Sequence, residues 1–238
     1  MKFKKILKII VGIFIFLTLP SLILFGFVYF KYNEDLPSGT QGEQADALAF
    51  KMLNALNYEA YQNTNYLEWT FRKRHHYEWN KKENTCTVFL KDYKVDLHLN
   101  DNSQSKVYVQ NFIYNGEKEQ EIITEATNYF NNDSFWLVAP YKVFDEGTER
   151  RLVTIENGDS ALLVTYTTGG TTPGDSFLWM LNDLGKPTSY KMWTSSIPIG
   201  GLEASWIDWV ATESGAQLPT FHKVLFLNLE MGNVKGIK

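Results

Sequence analysis

The chain has 238 residues, 44% of them hydrophobic and 15% aromatic, with a formal charge of −4. That length suits one domain of about 200 residues behind a short leader segment, and the composition excludes a chain disordered throughout. Lys2, Lys4, Lys5, Lys8 and Lys31 belong to an apolar N-terminal segment. Without those five, 18 of the 23 basic residues face all 27 acidic ones, so the rest of the chain carries −9 and is poorly suited to nucleic acid or anionic headgroups.

The chain is apolar from Ile6 to Phe30, interrupted by Lys8, Gly12, Thr18, Pro20, Ser21 and Gly26. From Ile9 onward it is uncharged for long enough to cross a hydrocarbon core of about 30 Å. Cleaved signal peptides have apolar cores of roughly 7–15 residues and end on a small-residue site. Here the run closes on Phe27-Val28-Tyr29-Phe30, and no lipobox cysteine follows. The reading is an uncleaved signal anchor over residues 1–31. Four lysines precede the span, while Lys31 is followed by Glu34 and Asp35, so the positive-inside rule places the N-terminus in the cytoplasm.

Residues 32–42, with Pro37 and Gly39, read as a linker that leaves the domain some freedom. Residues 43–238 then form the extracytoplasmic domain. Ala45, Leu48, Ala49, Met52, Leu53 and Leu56 recur at helical spacing and predict a helix from Glu43 to Tyr61. After Asn65 the period becomes two, giving strands at 66–72, 74–80, 85–91, 93–99 and 105–110. Ile122, Ile123, Ala126 and Phe130 predict a second helix over 117–130. Strands are expected again at 134–139, 149–156, 160–167, 175–182, 187–194, 204–213 and 220–229.

Phe135-Trp136-Leu137-Val138, Leu162-Leu163-Val164 and Phe177-Leu178-Trp179-Met180-Leu181 are apolar on both faces. Such strands are covered twice, or they line a cavity. The expected fold class is therefore α+β, with a large curved antiparallel sheet wrapped on one or two helices as an incomplete barrel.

Residue types that could carry chemistry are scattered. His75 and His76 are adjacent and point to opposite faces of a strand, so they cannot jointly ligate one metal without help. His98 shares a face with Asp96, and His222 stands apart. The segment Thr167–Asp175 is glycine-rich but lacks a phosphate-binding lysine and leads into a strand, which reads as a wide hairpin turn. There is no G-x-S-x-G elbow. Asp133, Asp145, Glu146 and Asp175 fall near expected loops. Cys86, the one cysteine, excludes an internal disulfide and lies in an apolar strand. No catalytic residue, metal or cofactor is assigned. The seven tryptophans suggest ordinary core packing, or an apolar cavity of the kind that holds small molecules. The candidate cavity residues are Trp69, Trp79, Trp136, Tyr141, Trp179 and Trp193.

The run Asp133–Gly147, with Trp136, Leu137, Pro140, Tyr141, Lys142 and Asp145 at fixed spacing, resembles the signature of an uncharacterised bacterial envelope family. Weaker matches keep the same order: Arg74–Asn80, Gly170–Asp175, and Trp206–Trp209 with Leu218–Thr220. In outline this family is similar to the periplasmic lipoprotein-carrier half-barrels of the LolA/LolB type. The resemblance implies a curved sheet closing over helices, with an inner face that holds acyl chains. It also implies a bacterial inner-membrane protein with its domain in the periplasm. The expected function is a tethered binding module for a lipid, acyl chain or other hydrophobic molecule. A solid envelope protein-interaction domain is the alternative, and a hydrolase the third reading.

Overall fold

The computed structural model describes residues 2–169 and 172–238. Helix α1 (Lys2–Tyr32) runs unbroken through Pro20. It is the one helix among the described residues long and apolar enough to cross a membrane, and the rest of the chain leaves it uncovered. Helix α2 (Glu43–Ala55) and the short α3 (Tyr58–Gln62) replace the single predicted helix. The break falls at Asn57, whose φ of 56° a side-chain amide tolerates better than most residues, and whose Nδ2 donates to the Gly215 carbonyl at 3.0 Å.

Strands β1 (Tyr66–Phe71), β2 (His75–Asn80), β3 (Thr85–Phe89), β4 (Lys94–His98), β5 (Lys106–Val109) and β6 (Phe112–Ile113) form an antiparallel meander. Helix α4 (Glu119–Val138) crosses to the second half of the chain. There β7 (Thr148–Thr154), β8 (Ser160–Tyr166), β9 (Ser176–Leu181), β10 (Pro187–Trp193), β11 (Leu202–Ser205), β12 (Ile207–Ala211), β13 (Gln217–Val224) and β14 (Leu227–Ile237) follow. The long β14 joins the halves: Leu227–Glu230 pair with β13, and Met231–Ile237 pair with β1. The result is one 14-stranded antiparallel sheet ordered β6-β5-β4-β3-β2-β1-β14-β13-β11-β10-β9-β8-β7, with β12 paired to β13 beside this path. Its end strands do not pair with each other, so the barrel stays open, as the α+β reading expects.

Three expected strands are corrected. Residues 134–139 end α4 instead of forming a strand, because a short apolar run carries no period of its own and no glycine or proline interrupts the chain before Pro140. Leu137 and Val138 are buried there. The expected strand at 204–213 splits at Trp206 into β11 and β12. The one at 220–229 is a tight hairpin, turned at Leu225 with a φ of 53°.

Helices α2 and α4 share one apolar core with the inner side chains of both halves, among them Leu67, Trp69, Val88, Leu162, Trp179 and Trp206. A smaller cluster, Val153, Ala161, Leu163 and Leu178, lies on the opposite face of β7–β9. The segment after α1 covers that face and is not free. The Glu34 N–H donates to the Gly200 carbonyl at 2.9 Å, and Trp193 Nε1 donates to the Glu34 carbonyl at 2.8 Å. Thr40 exchanges backbone hydrogen bonds with Leu152 of β7, at 2.9 and 2.8 Å. Since β10 and β7 flank β9 and β8, residues 34–40 must cross the outer face of both. Strands apolar on both faces are thus covered twice, by helices inside and by this strap outside.

Candidate functional site

A cleft of about 500 Å³ opens where α4 ends. One side is the last turns of α4 with the 3₁₀ turn Ala139–Lys142; the other is the inner face of β8–β10. Phe135 packs on Phe177 at 4.7 Å between ring centroids, and Trp136 on Tyr190 at 5.7 Å. Trp79 meets Phe130 edge-on at 5.2 Å, which extends the aromatic surface toward β2. The Trp79 Nε1 is buried and finds no acceptor among the described residues.

The mouth is polar, with more carboxylates than cations among its charged groups. Asp175, nearly buried, accepts from the Ser195 N–H at 2.9 Å and from Thr172 Oγ1 at 2.6 Å, tying the β8–β9 turn to the loop after β10. Lys142 pairs with Asp145 one turn later. Glu146 is exposed and makes no ion pair among the described residues. The adjoining Gly147 has a φ of 76°, and a Cβ there would fall 1.8 Å from Thr168 Oγ1. Glycine therefore lets this turn lie against β8, where its carbonyl accepts from the Thr167 N–H at 2.7 Å. Burial, and second the nearby Asp145, push the Tyr166 hydroxyl well above its ordinary range, so it stays a neutral phenol.

Beneath Trp136 sits His222, fully buried. Its Nε2 lies 2.8 Å from the Trp136 carbonyl and its Nδ1 3.0 Å from the Ser205 carbonyl. Burial lowers its pKa to about 4 although both carbonyls pull the other way. A neutral ring donates to only one of the two, and so ties β13 either to the end of α4 or to Ser205 at the end of β11.

Of the six candidate cavity residues, Trp79 and Trp136 line the cleft. Trp69 and Trp179 are sealed in the core. Tyr141 is buried as a tie, its hydroxyl oxygen 2.6 Å from the Gln217 carbonyl and 2.8 Å from that of Leu56, between which its one proton is shared, while its ring stacks on Tyr61. Trp193 lies on the outer face beneath the strap. The sequence reading followed tryptophans and so missed Phe135, Tyr166, Phe177, Tyr190 and Met192, which also line the cleft. A signal was present: Phe177 and Trp179 share one face of a strand, as do Tyr190 and Met192.

The polar candidates take mostly structural places. Asp133 is buried and accepts from the Tyr77 hydroxyl at 2.6 Å and from Asn132 at 2.8 Å, and its Oδ2 lies 2.9 Å from His75 Nδ1. It therefore anchors α4 to β2. His76 turns to the other face, against Thr70. Among the described residues no three His, Cys, Asp or Glu converge as metal ligands. Cys86 is a buried free thiol, its pKa raised by desolvation. Within the glycine-rich segment, Gly170 and Thr171 lie outside the described residues, while Thr168, Gly169 and Thr172 edge the cleft. No protein-family model matches the chain, and no curated protein matches it significantly.

Proposed function

We propose that this chain is a membrane-tethered binding module that takes a hydrophobic molecule, a lipid or acyl chain, into the cleft beside α4. The observation that carries the reading is a cleft of about 500 Å³ walled by Phe135, Trp136, Phe177 and Met192. Small-molecule sites typically span about 300–1,000 Å³ and are mostly apolar with a few polar groups. In this reading α1 is retained as a single-pass anchor in a bacterial inner membrane, its lysine-rich end in the cytoplasm and the sheet in the periplasm. The half-barrel likeness to LolA/LolB-type carriers supports the same use of an inner face, by analogy of architecture alone.

Native mass spectrometry of the full chain, released gently from maltoside micelles, tests this. The expected result is a bound amphiphile lost in Trp136→Ala. An apo mass that persists after incubation with fluorescent fatty alcohols and fatty acids would sink the reading.

One observation favours a second reading. Trp179, Trp206 and Tyr190 are fully buried and meet ring to ring, and Trp69 is fully buried against Tyr77, so most of the concave face is solid. A solid sheet suits an envelope protein-interaction domain. In-cell crosslinking from Glu146 that traps one defined protein, with no ligand bound, would favour it.

A further inference from the structure

We infer that the occupant of the cleft is an amphiphile with an ammonium head, bound with its chain against the aromatic wall and its head beside the exposed carboxylates of Asp145 and Glu146. This deepens the binding-module reading and rests on it. Asp145 and Glu146 are exposed at the mouth against one cation, Lys142, which Asp145 already engages, while the buried Asp175 carboxylate is taken up by Ser195 and Thr172. An anionic head would meet that surplus and be repelled, and a neutral head would gain little from it. An ammonium gains from solvent-exposed Glu146 and from the aromatic lining of the same cleft, Tyr166 and Trp136 included, since aromatic rings attract cations.

The strap supplies an independent argument for an amphiphile over a small soluble cation. Thr194, Ser196 and Ile197 edge the cleft, and the same loop holds the chain just beyond α1. Gly200 donates to Asn33 Oδ1 at 2.9 Å and accepts from the Glu34 N–H at 2.9 Å. Glu34 lies two residues past the end of α1, so the mouth loop is fixed where the chain leaves the apolar helix. A molecule with its head at a bilayer surface and its chain in hydrocarbon can reach this cleft without crossing much water.

The test titrates the full chain in maltoside micelles with octylammonium, octyltrimethylammonium, octanol and octanoate, reading bound fraction by native mass spectrometry. Both ammonium probes are expected to bind roughly twofold to fivefold more tightly than octanol, as screened charge pairs allow, with octanoate weakest. Glu146 is exposed, so Glu146→Gln should fold normally. It should shrink the ammonium preference while leaving octanol binding unchanged, and Glu146→Lys should move octanoate above the ammonium probes. Equal binding of all four, or octanoate binding best to the unaltered chain, overturns the head-group assignment and leaves apolar binding standing. Binding of none overturns both.

The source of the head is read separately, in nanodiscs of phosphatidylethanolamine or phosphatidylglycerol. Selective retention of the amine lipid on release assigns a membrane source. Retention of neither, with octylammonium still bound, assigns a soluble amine. Preferential retention of phosphatidylglycerol overturns the proposal.

Discussion

Along β1, β3 and β4 every second side chain is buried, whereas β8 and β9 carry runs of four buried residues. The first half of the sheet needs one cover, and the N-terminal turns of α4 supply it through Ile122, Ile123 and Ala126. The second half needs two. Outside, the strap of residues 34–40 lies over Leu163 and Leu178; inside, α4 gives out at Val138 and the chain turns away at Pro140. The aromatic inner face of β8–β10 continues past the end of the helix, and the cleft is what remains uncovered. A hollow here is thus a consequence of where a helix stops, and both halves are built from the same kinds of residue.

The sharpest way to break this contrast is in the filled half. Trp69 is fully buried and stacks on Tyr77 at 4.5 Å, so Trp69→Ala should cost about 3–5 kcal/mol, the range for emptying a core aromatic site. Urea unfolding of the domain checks it; a loss under about 1 kcal/mol would mean that this half is not solid.

His222, beneath Trp136 at the end of α4, gives the next largest effect. Its folded pKa of about 4 lies below the ordinary 6.5, so between those values the unfolded chain binds a proton that the folded ring refuses. Its contribution is therefore complete above pH 6.5, lost as pH falls toward 4, and flat below. The full span is about 3 kcal/mol, from roughly 1.4 kcal/mol per pH unit. Stability of the wild-type chain and of His222→Gln should diverge in that window. Equal acid slopes would show that the ring is not held neutral.

The strap tests the double cover. A Cβ on Gly200 would meet the Glu34 carbonyl at 2.7 Å and Trp193 at 2.6 Å. Gly200→Ala should lift residues 33–34 and cost about 1–3 kcal/mol, the usual range for overpacking. Faster hydrogen exchange at the Glu34 amide, with none at β3, is the expected signature.

Much of this contrast was legible before any coordinates. The alternation of Val95, Leu97 and Leu99 marked a one-faced strand, and Leu162-Leu163-Val164 marked a strand covered twice. The sequence does not say what the second cover is, because the strap docks largely through backbone groups of Glu34 and Thr40, and its one ion pair, Glu34 with Lys191, joins residues far apart in the chain. The end of α4 was misread for a related reason. Phe135-Trp136-Leu137-Val138 is apolar all round, and a segment surrounded by protein has no polar face to betray its period. That error displaced the site as well, since Phe135 and Trp136 line the cleft from a helix. Tyr141 and Trp193 are aromatic like the cleft residues, but the hydroxyl of one and the indole N–H of the other serve as backbone ties.

The smallest stability effect is expected at the cleft itself. Trp136 is only partly buried, packed on Tyr190 and on His222 at 5.3 Å, with its remaining surface facing the open volume. Truncating it merges the vacated space with the cleft, so no closed void forms and the cavity penalty that punishes Trp69→Ala is missing. What remains is the lost apolar contact, about 1 kcal/mol at roughly 25 cal/mol per Å² for the part that is covered. Ligand binding should respond the other way, weakening about tenfold or more, because the same ring forms one wall of the hollow. Unfolding and octylammonium titration of Trp69→Ala and Trp136→Ala, run side by side, separate the two roles. If Trp136→Ala loses as much stability as Trp69→Ala and binds the probe unchanged, the ring belongs to the filled core and the cleft is not the binding site.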